Sequence, residues 1–198
     1  NSDVVFAISS SDTGEATVTS SLTFTSANWD TPQNVTVTGA DDNIIDGSVT
    51  SNITVSINDG SSDNAFDAVA DQTVSVTTTD DDVAGFTIAE TEGSTGVDES
   101  GSTDLFTVVL NAQPNSDVVF AISSSDTGEA TVTSSLTFTS ANWDTPQNVT
   151  VTGVDDDIID GSQVSTSTIS IIGAISDDNF DAVADQTVSV TTTDDDVA

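Results

Sequence analysis

Apolar and polar residues alternate along short runs of this chain, and Val, Ile, Phe and Thr fill most positions of each run. A period of two in β-branched sequence is typical of strands that bury one face. Clusters of Gly, Asn, Asp and Ser separate the runs, and no window shows an amphipathic helical stripe. The pattern predicts strands at residues 85–89, 103–110, 117–122, 135–139, 147–152, 166–172 and 186–192.

Seven short strands in about a hundred residues indicate an all-β fold of tandem immunoglobulin-like antiparallel β-sandwiches. Trp143 and its copy Trp29 precede a strand, and we interpret them as packing anchors because a sugar site would gather several aromatic rings. The core of the second sandwich should consist of Phe106, Val108, Phe120, Ile122, Leu136, Phe138, Val149, Val151, Ile169, Ile171, Val188 and Val190.

The chain repeats itself, since residues 1–39 recur unchanged as 115–153 and the same offset holds to the C-terminal end. We therefore expect two domains: 1–84, a sandwich repeat that lacks its opening strands, and 85–198, a complete repeat. Missing opening strands would leave core and strand edge exposed. A preceding segment in a longer parent chain or a strand donated by a neighbouring chain would cover them.

The charge is entirely acidic: 34 Asp and Glu face no Lys, Arg or His, which gives a net charge of −34. Such a chain repels nucleic acid and anionic membranes, so cations are the expected partners. No apolar run is long enough for membrane insertion, and 35% hydrophobic residues argue against disorder. Without His, Lys or Cys, the familiar nucleophile–base pairs lack a base, so we expect no enzyme.

Three acidic clusters stand out in the second repeat, at residues 97–101, 155–161 and 194–196. Adjacent carboxylates in a chain without basic residues cannot be neutralised by the protein. Hard oxygen ligands at this density suit calcium, which accepts six to eight of them. A single Asp run would be read as a solvated loop end, but three clusters in one fold favour ion binding.

The order V-x-E-x-G, L-T-F, V-T-V-x-G-x-D-D-D-x-x-D and T-x-D-D-D across 85–198 resembles the Calx-beta domain, and the same order occurs in repeats of large bacterial adhesins. The resemblance implies a sandwich that binds several calcium ions at one pole. It implies these ligands in the second repeat: Glu99, Asp155, Asp156, Asp160, Asp194, Asp195 and Asp196, with the Ile158 carbonyl as a backbone ligand. In the partial copy it implies Asp41, Asp42, Asp46, Asp80, Asp81 and Asp82.

These features together predict a secreted or cell-surface protein, a structural repeat module of a bacterial adhesin stalk or extracellular fibre that calcium rigidifies. Its partners would be calcium and neighbouring repeats of the same or an identical chain, and any surface ligand would bind elsewhere in the parent protein. Two alternatives stay open. One is a sandwich that binds carbohydrate, ice or a partner protein, and the other is a fibre subunit that polymerises by strand donation.

Overall fold

The fold is known from a computed structural model, which describes residues 2–197. Among these residues the regular structure consists of strands and short 3-10 turns without an α-helix, so the predicted all-β class is confirmed. None of the helical turns in this range is long and apolar enough to cross a bilayer.

The chain forms two compact units. Unit 1 comprises the residues up to Asp42 together with Asp46–Asp81, and unit 2 comprises Asn43–Ile45 together with the residues from Asp82 onward. The repeat boundary at 84/85 stays a prediction.

Unit 1 contains one four-stranded antiparallel sheet and one two-stranded ladder. Its strands are β1 (Val4–Ser10), β2 (Ala16–Val18), β3 (Ser21–Phe24), β4 (Val37–Gly39), β5 (Val49–Ile57) and β6 (Gln72–Thr78), with 3-10 turns at Asp59–Ser61 and Asn64–Phe66. The order in the sheet is β3-β1-β5-β6, and β2 pairs with β4.

Unit 2 is a sandwich of two sheets. Its strands are β7 (Phe86–Glu90), β8 (Thr95–Asp98), β9 (Thr103–Leu110), β10 (Val118–Ser124), β11 (Ala130–Val132), β12 (Ser135–Phe138), β13 (Gln147–Gly153), β14 (Gln163–Ile171) and β15 (Gln186–Thr193), with 3-10 turns at Thr91–Gly93, Gly173–Ile175 and Asp178–Phe180. The sheet orders are β12-β10-β14-β15-β8 and β11-β13-β9-β7. All pairs are antiparallel except β15–β8, which is parallel.

The core of unit 2 lies between these sheets and contains the apolar side chains that alternation predicts. Phe120 of one sheet meets Phe86 of the other edge to face, with ring centroids 5.0 Å apart. Leu136 and Ile171 are only partly buried against this core, whereas the other predicted core residues are buried. The core also includes Phe86, Val97, Leu110, Val118, Ala130 and Phe180.

The two tryptophans differ in environment although they lie in identical sequence. Trp143 is partly buried and packs against the core of unit 2. Trp29 in unit 1 is 72% exposed. The interpretation as a packing anchor therefore applies to Trp143 and is wrong for Trp29.

Candidate metal centre

The candidate metal centre lies at the end of unit 2 where β8 and β15 both finish. These strands run parallel, and Asp98 lies opposite Thr193 at their last positions. The next residues, Glu99 and Asp194, therefore leave the sheet at the same end. The Glu99 N–H donates to the Thr193 carbonyl at 3.1 Å and fixes this arrangement.

Three carboxylates converge there: one oxygen each from Glu99, Asp194 and Asp196 lies within 4.8 Å of the other two. Two oxygens that each lie about 2.4 Å from one calcium ion are at most about 4.8 Å apart. The spacing of this group therefore fits ligands that share one ion. Among the described residues, no other set of three His, Cys, Asp or Glu side chains lies this close together.

Several oxygens of the centre are buried without a hydrogen-bond partner in the described part of the chain, namely Glu99 Oε2, Glu129 Oε2 and Asp196 Oδ2. The Glu99 side chain is only 1% exposed. A buried polar atom without a partner is unfavourable, and a buried unpaired charge is more so. Since the chain has no Lys, Arg or His, only a bound cation or a proton can neutralise these groups.

Asp194 differs from its neighbours because backbone N–H groups hold it as an anion. Its Oδ2 accepts from the Gly161 N–H and its Oδ1 from the Asp196 N–H, each at 2.8 Å. These hydrogen bonds, with one from the Asp160 backbone, lower the pKa of Asp194 below its ordinary value. Gly161 has a φ of +75°, which a side chain would disfavour, so the glycine lets the loop turn back onto Asp194.

The other carboxyls of the centre have raised pKa values. Burial raises the pKa of Glu99 first, followed by the charges of Asp194, Asp156, Glu129 and Asp160. Burial also leads for Glu129, before the charges of Asp160 and Asp126. The centre thus combines one stabilised anion with carboxyls whose ionised forms are disfavoured in the absence of a cation.

The pKa of Asp196 is raised as well. Burial is the largest cause, and the charges of Asp194, Asp157, Asp195 and Asp155 raise it further. The middle and last acidic clusters therefore lie within electrostatic reach of each other. Of the predicted ligands, Asp156 and Asp160 lie near Glu99 and Glu129, and Asp155 and Asp195 lie near Asp196.

The predicted backbone ligand, Ile158, lies on the exposed part of the middle loop. Its N–H donates to Asp156 Oδ1 at 2.7 Å, and its side chain is 61% exposed. This contact shapes the loop through Asp156, and ligation by the Ile158 carbonyl stays a prediction.

Unit 1 reproduces part of this arrangement. Asp80 Oδ2 accepts from the Asp46 and Gly47 N–H groups at 3.1 and 2.8 Å, as Asp194 accepts from the copied loop. Burial, followed by the charges of Asp46, Asp42 and Asp12, raises the pKa of Glu15. Predicted ligands Asp42, Asp46 and Asp80 are thus at one end of this unit.

The remaining predicted ligands of the partial copy are Asp41, Asp81 and Asp82. The first two are exposed, whereas Asp82 belongs to unit 2 and is partly buried. Within residues 2–81, unit 1 has no counterpart of Glu99. Ligation by the whole predicted set in the partial copy stays a prediction.

Sequence reasoning missed Glu129 and its copy Glu15. Both end a short loop of sequence S-D-T-G-E, in which the Asp126 side chain accepts from the Gly128 N–H at 3.0 Å. The Glu129 carbonyl accepts from the Val154 N–H at 2.9 Å, next to the middle acidic cluster. The residue type could have identified these two positions, because glutamate is the minority acidic residue in this chain.

No protein-family model matches the sequence, and no curated protein matches it. Among solved structures, domains 4 and 5 of the S-layer protein SbsC are similar at 18% identity and a TM-score of 0.45, over 95% of this chain and 70% of that one. The apo-form Calx CBD1 domain is similar at 15% identity and a TM-score of 0.41, over 56% of this chain and 98% of that one.

A third solved structure, an endo-fucoidan hydrolase of glycoside hydrolase family 107, is similar at 12% identity and a TM-score of 0.32. The alignment covers 98% of this chain and 24% of the hydrolase. All three structures are below 20% identity and a TM-score of 0.5, so the functional proposal rests on the carboxylates of this chain.

Proposed function

We propose that this protein is a calcium-binding structural repeat module, in which Glu99, Asp194 and Asp196 hold an ion at one end of unit 2. The observation that carries the proposal is the convergence of three carboxylates in a chain that has no basic side chain, two of which, Glu99 and Asp196, have a buried oxygen without a hydrogen-bond partner among the described residues. Glu129 and Asp160 supply further oxygens near the same point.

Calcium fits this set of donors better than other common ions. All available side-chain donors are oxygens, because the chain has no His or Cys, and this excludes the usual ligands of zinc. Magnesium keeps several of its waters and binds few carboxylates, whereas calcium accepts six to eight oxygens in flexible geometry.

An ion at this position would connect both sheets of unit 2. Glu99 follows β8 and Asp194 follows β15, which are neighbours in one sheet. Glu129 precedes β11, and Asp156 lies in the loop after β13 in the other sheet. Coordination would therefore hold the two sheets together at this end and stabilise the folded state by mass action.

At the level of the parent protein, we propose that such modules form the stalk of a cell-surface adhesin or an extracellular fibre, with neighbouring repeats as partners. Identical sequence over residues 1–39 and 115–153 supports this, since a stalk needs uniform mechanics more than a unique pocket. Extracellular calcium modules typically bind with Kd values of about 10⁻⁴–10⁻³ M.

Calcium titration of the full chain tests the proposal. After chelator treatment, added calcium should raise the melting temperature of unit 2 and release binding heat. The double variant Glu99→Gln with Asp196→Asn should lose both effects because it removes two of the three converging carboxylates.

The matched control is Asp185→Asn, an exposed carboxylate that immediately precedes β15 at the end remote from Asp194. It should keep the calcium response of the unmodified chain. The proposal is wrong if calcium up to about 10 mM changes neither quantity, or if the control loses the response as fully as the double variant.

A further inference from the structure

Beyond calcium binding, we propose that unit 1 is the docking site for a separate extended segment with the sequence of residues 85–112. Two copies of one sequence lie in different surroundings in this molecule, because residues 2–39 are identical to 116–153. Because the two sequences are identical, a difference in burial between the copies reflects the residues that pack over each of them. Unit 2 therefore shows what unit 1 is able to bind.

The core side chains of unit 1 are open where those of unit 2 are covered. Val149 and Val151 are fully buried, whereas their copies Val35 and Val37 are each 37% exposed. Phe180 is fully buried, whereas its copy Phe66 is 44% exposed. Within residues 2–81, unit 1 has no counterpart of β7, β8 or β9, which cover this face in unit 2.

The uncovered face forms a groove of about 730 Å³. Its lining includes Val4, Phe6, Phe24, Trp29 and Phe66. In unit 2 the copy of Phe6 is Phe120, which meets Phe86 of β7, and the carbonyl of Trp143 accepts from the Leu110 N–H of β9 at 3.1 Å. The groove is thus the space that β7 and β9 fill in the other copy.

The backbone edge of unit 1 is also open. The sequence Q-N-V-T-V-T-G forms all seven residues of β13 in unit 2, where it pairs with β9 and places Val149 opposite Phe106. In unit 1 only Val37–Gly39 of the same sequence is a strand. Residues 33–36 thus offer an edge that an incoming β9-like strand would extend.

Two smaller features also fit the docking of a segment with the sequence of residues 85–112. The Gln186 side-chain amide donates to the Phe86 carbonyl at 2.7 Å, whereas its copy Gln72 donates to the carbonyls of Ala70 and Asp71. A Cβ added at Gly153 would collide with the Asp98 carbonyl oxygen. Gly153 therefore lets the segment that carries β8 approach closely.

Gly39, the copy of Gly153, has room for a side chain instead. A Cβ added there would meet nothing nearer than the Thr78 methyl group at 3.7 Å. Gly39 is thus needed for the docking of the segment, whereas unit 1 without the segment has room for a side chain there.

These features identify the occupant by its residues. It needs a strand with large apolar side chains at alternate positions, as Phe106 and Val108 provide, and an apolar residue at the position of Phe86. A second copy of the chain offers no free segment of this kind, because its own residues 85–112 are folded into unit 2. The fitting partner is another segment of the same sequence, which a preceding repeat of a longer chain or another molecule would supply equally.

The test uses a synthetic peptide of residues 85–112 and the full chain with Trp143→Phe, in which Trp29 is the remaining tryptophan. Chelator is present throughout, so the outcome does not depend on calcium. Binding should shift Trp29 emission to shorter wavelength because the ring moves from water into the groove, and calorimetry should give one peptide per chain. A peptide that causes no shift and no heat overturns the proposal.

Two matched variants test the mode of docking. Gly39→Ala in the chain should weaken binding more than about tenfold by steric conflict with the peptide backbone, while its own melting curve stays unchanged. Independently, the peptide with Phe106→Asp should not bind. Binding that survives both changes would show unspecific apolar adsorption or exchange into unit 2, and would overturn the proposal.

The last experiment asks whether a second copy of the chain fills the groove. Sedimentation of the chain alone should show a monomer, and Trp29 emission should not vary with protein concentration. If the chain dimerises through this groove without peptide, a second copy covers it and the proposal is wrong.

Discussion

At the scale of a residue, two phenylalanines in identical sequence show how strongly the surroundings determine the burial of a side chain. Phe120 is fully buried between the sheets of unit 2 and touches both Phe86 and Phe138 edge to face. Its copy Phe6 keeps only the contact with Phe24, at 5.7 Å between ring centroids, and is partly exposed to solvent.

We expect Phe120→Ala to lower the free energy of unfolding of unit 2 by about 3–5 kcal/mol, because it leaves a cavity in a closed core. Phe6→Ala should cost unit 1 clearly less, since part of its ring is already in water. Urea unfolding followed by Trp143 emission in a Trp29→Phe background, and by Trp29 emission in a Trp143→Phe background, separates the units. Equal losses would contradict the difference in burial.

The carboxylates show what residue type alone could predict. Glu99, Asp194 and Asp196 were predicted ligands, and they converge in the structure. Glu129 was not predicted because it belongs to no acidic run, and only the loop between β10 and β11 brings it to this end. Proximity of that kind depends on strand pairing, which a single sequence does not contain.

At the scale of elements, the predicted strands were those long enough to show alternation, and all seven are present in unit 2. β8 and β11 were missed because four residues, T-G-V-D, and three residues, A-T-V, are too short to establish a period of two. The parallel pairing of β8 with β15 was not predictable either, although it brings Glu99 and Asp194 of the candidate metal centre to the same end of the sheet. Copies of one sequence also differ in strand length, because β4 lacks the neighbour that β13 has.

Gly153 tests how closely the elements around the candidate metal centre pack. Its Cα faces the backbone of β8, so Gly153→Ala must displace the Asp98 carbonyl, and we expect a loss of about 1–3 kcal/mol in the stability of unit 2. Calcium affinity should fall as well, because Glu99 follows Asp98 directly.

Gly39→Ala is the matched control, since its added methyl group makes only an ordinary van der Waals contact with Thr78 and should change stability by less than about 0.5 kcal/mol. Thermal unfolding and calcium titration of both variants measure these effects. If Gly153→Ala is as harmless as Gly39→Ala, the approach of β8 to β13 does not contribute to the stability of the sandwich.

At the scale of the whole molecule, a net charge of −34 without any basic group makes protons and metal cations alternative neutralising partners. The two should compete for the same oxygens, because burial raises the pKa of Glu99 and Glu129 above 4.5 and that of Asp196 above 3.8. This competition sets the pH dependence of stability.

In chelator, the folded state holds these protons more tightly than the unfolded state, so their stabilising contribution is complete below the ordinary values of 4.5 and 3.8 and is lost as pH rises through the raised pKa values. The lowered pKa of Asp194 acts in the opposite sense, but only below 3.8. With saturating calcium, the ion replaces the protons, and the folded state then holds the carboxyls ionised. Stability should therefore increase as pH falls from about 7 to about 4.5 in chelator and decrease over the same interval in calcium.

Melting temperatures of unit 2 at both pH values, with and without calcium, measure this reversal of sign. Glu99→Gln with Asp196→Asn should flatten both slopes, because it removes two of the groups that exchange protons for calcium, whereas Asp185→Asn should keep them. General charge repulsion would also favour acid in chelator, but it would act alike in both variants. A chelated protein that is more stable at about pH 7 than at about pH 4.5 would show that these carboxyls do not hold their protons in the folded state.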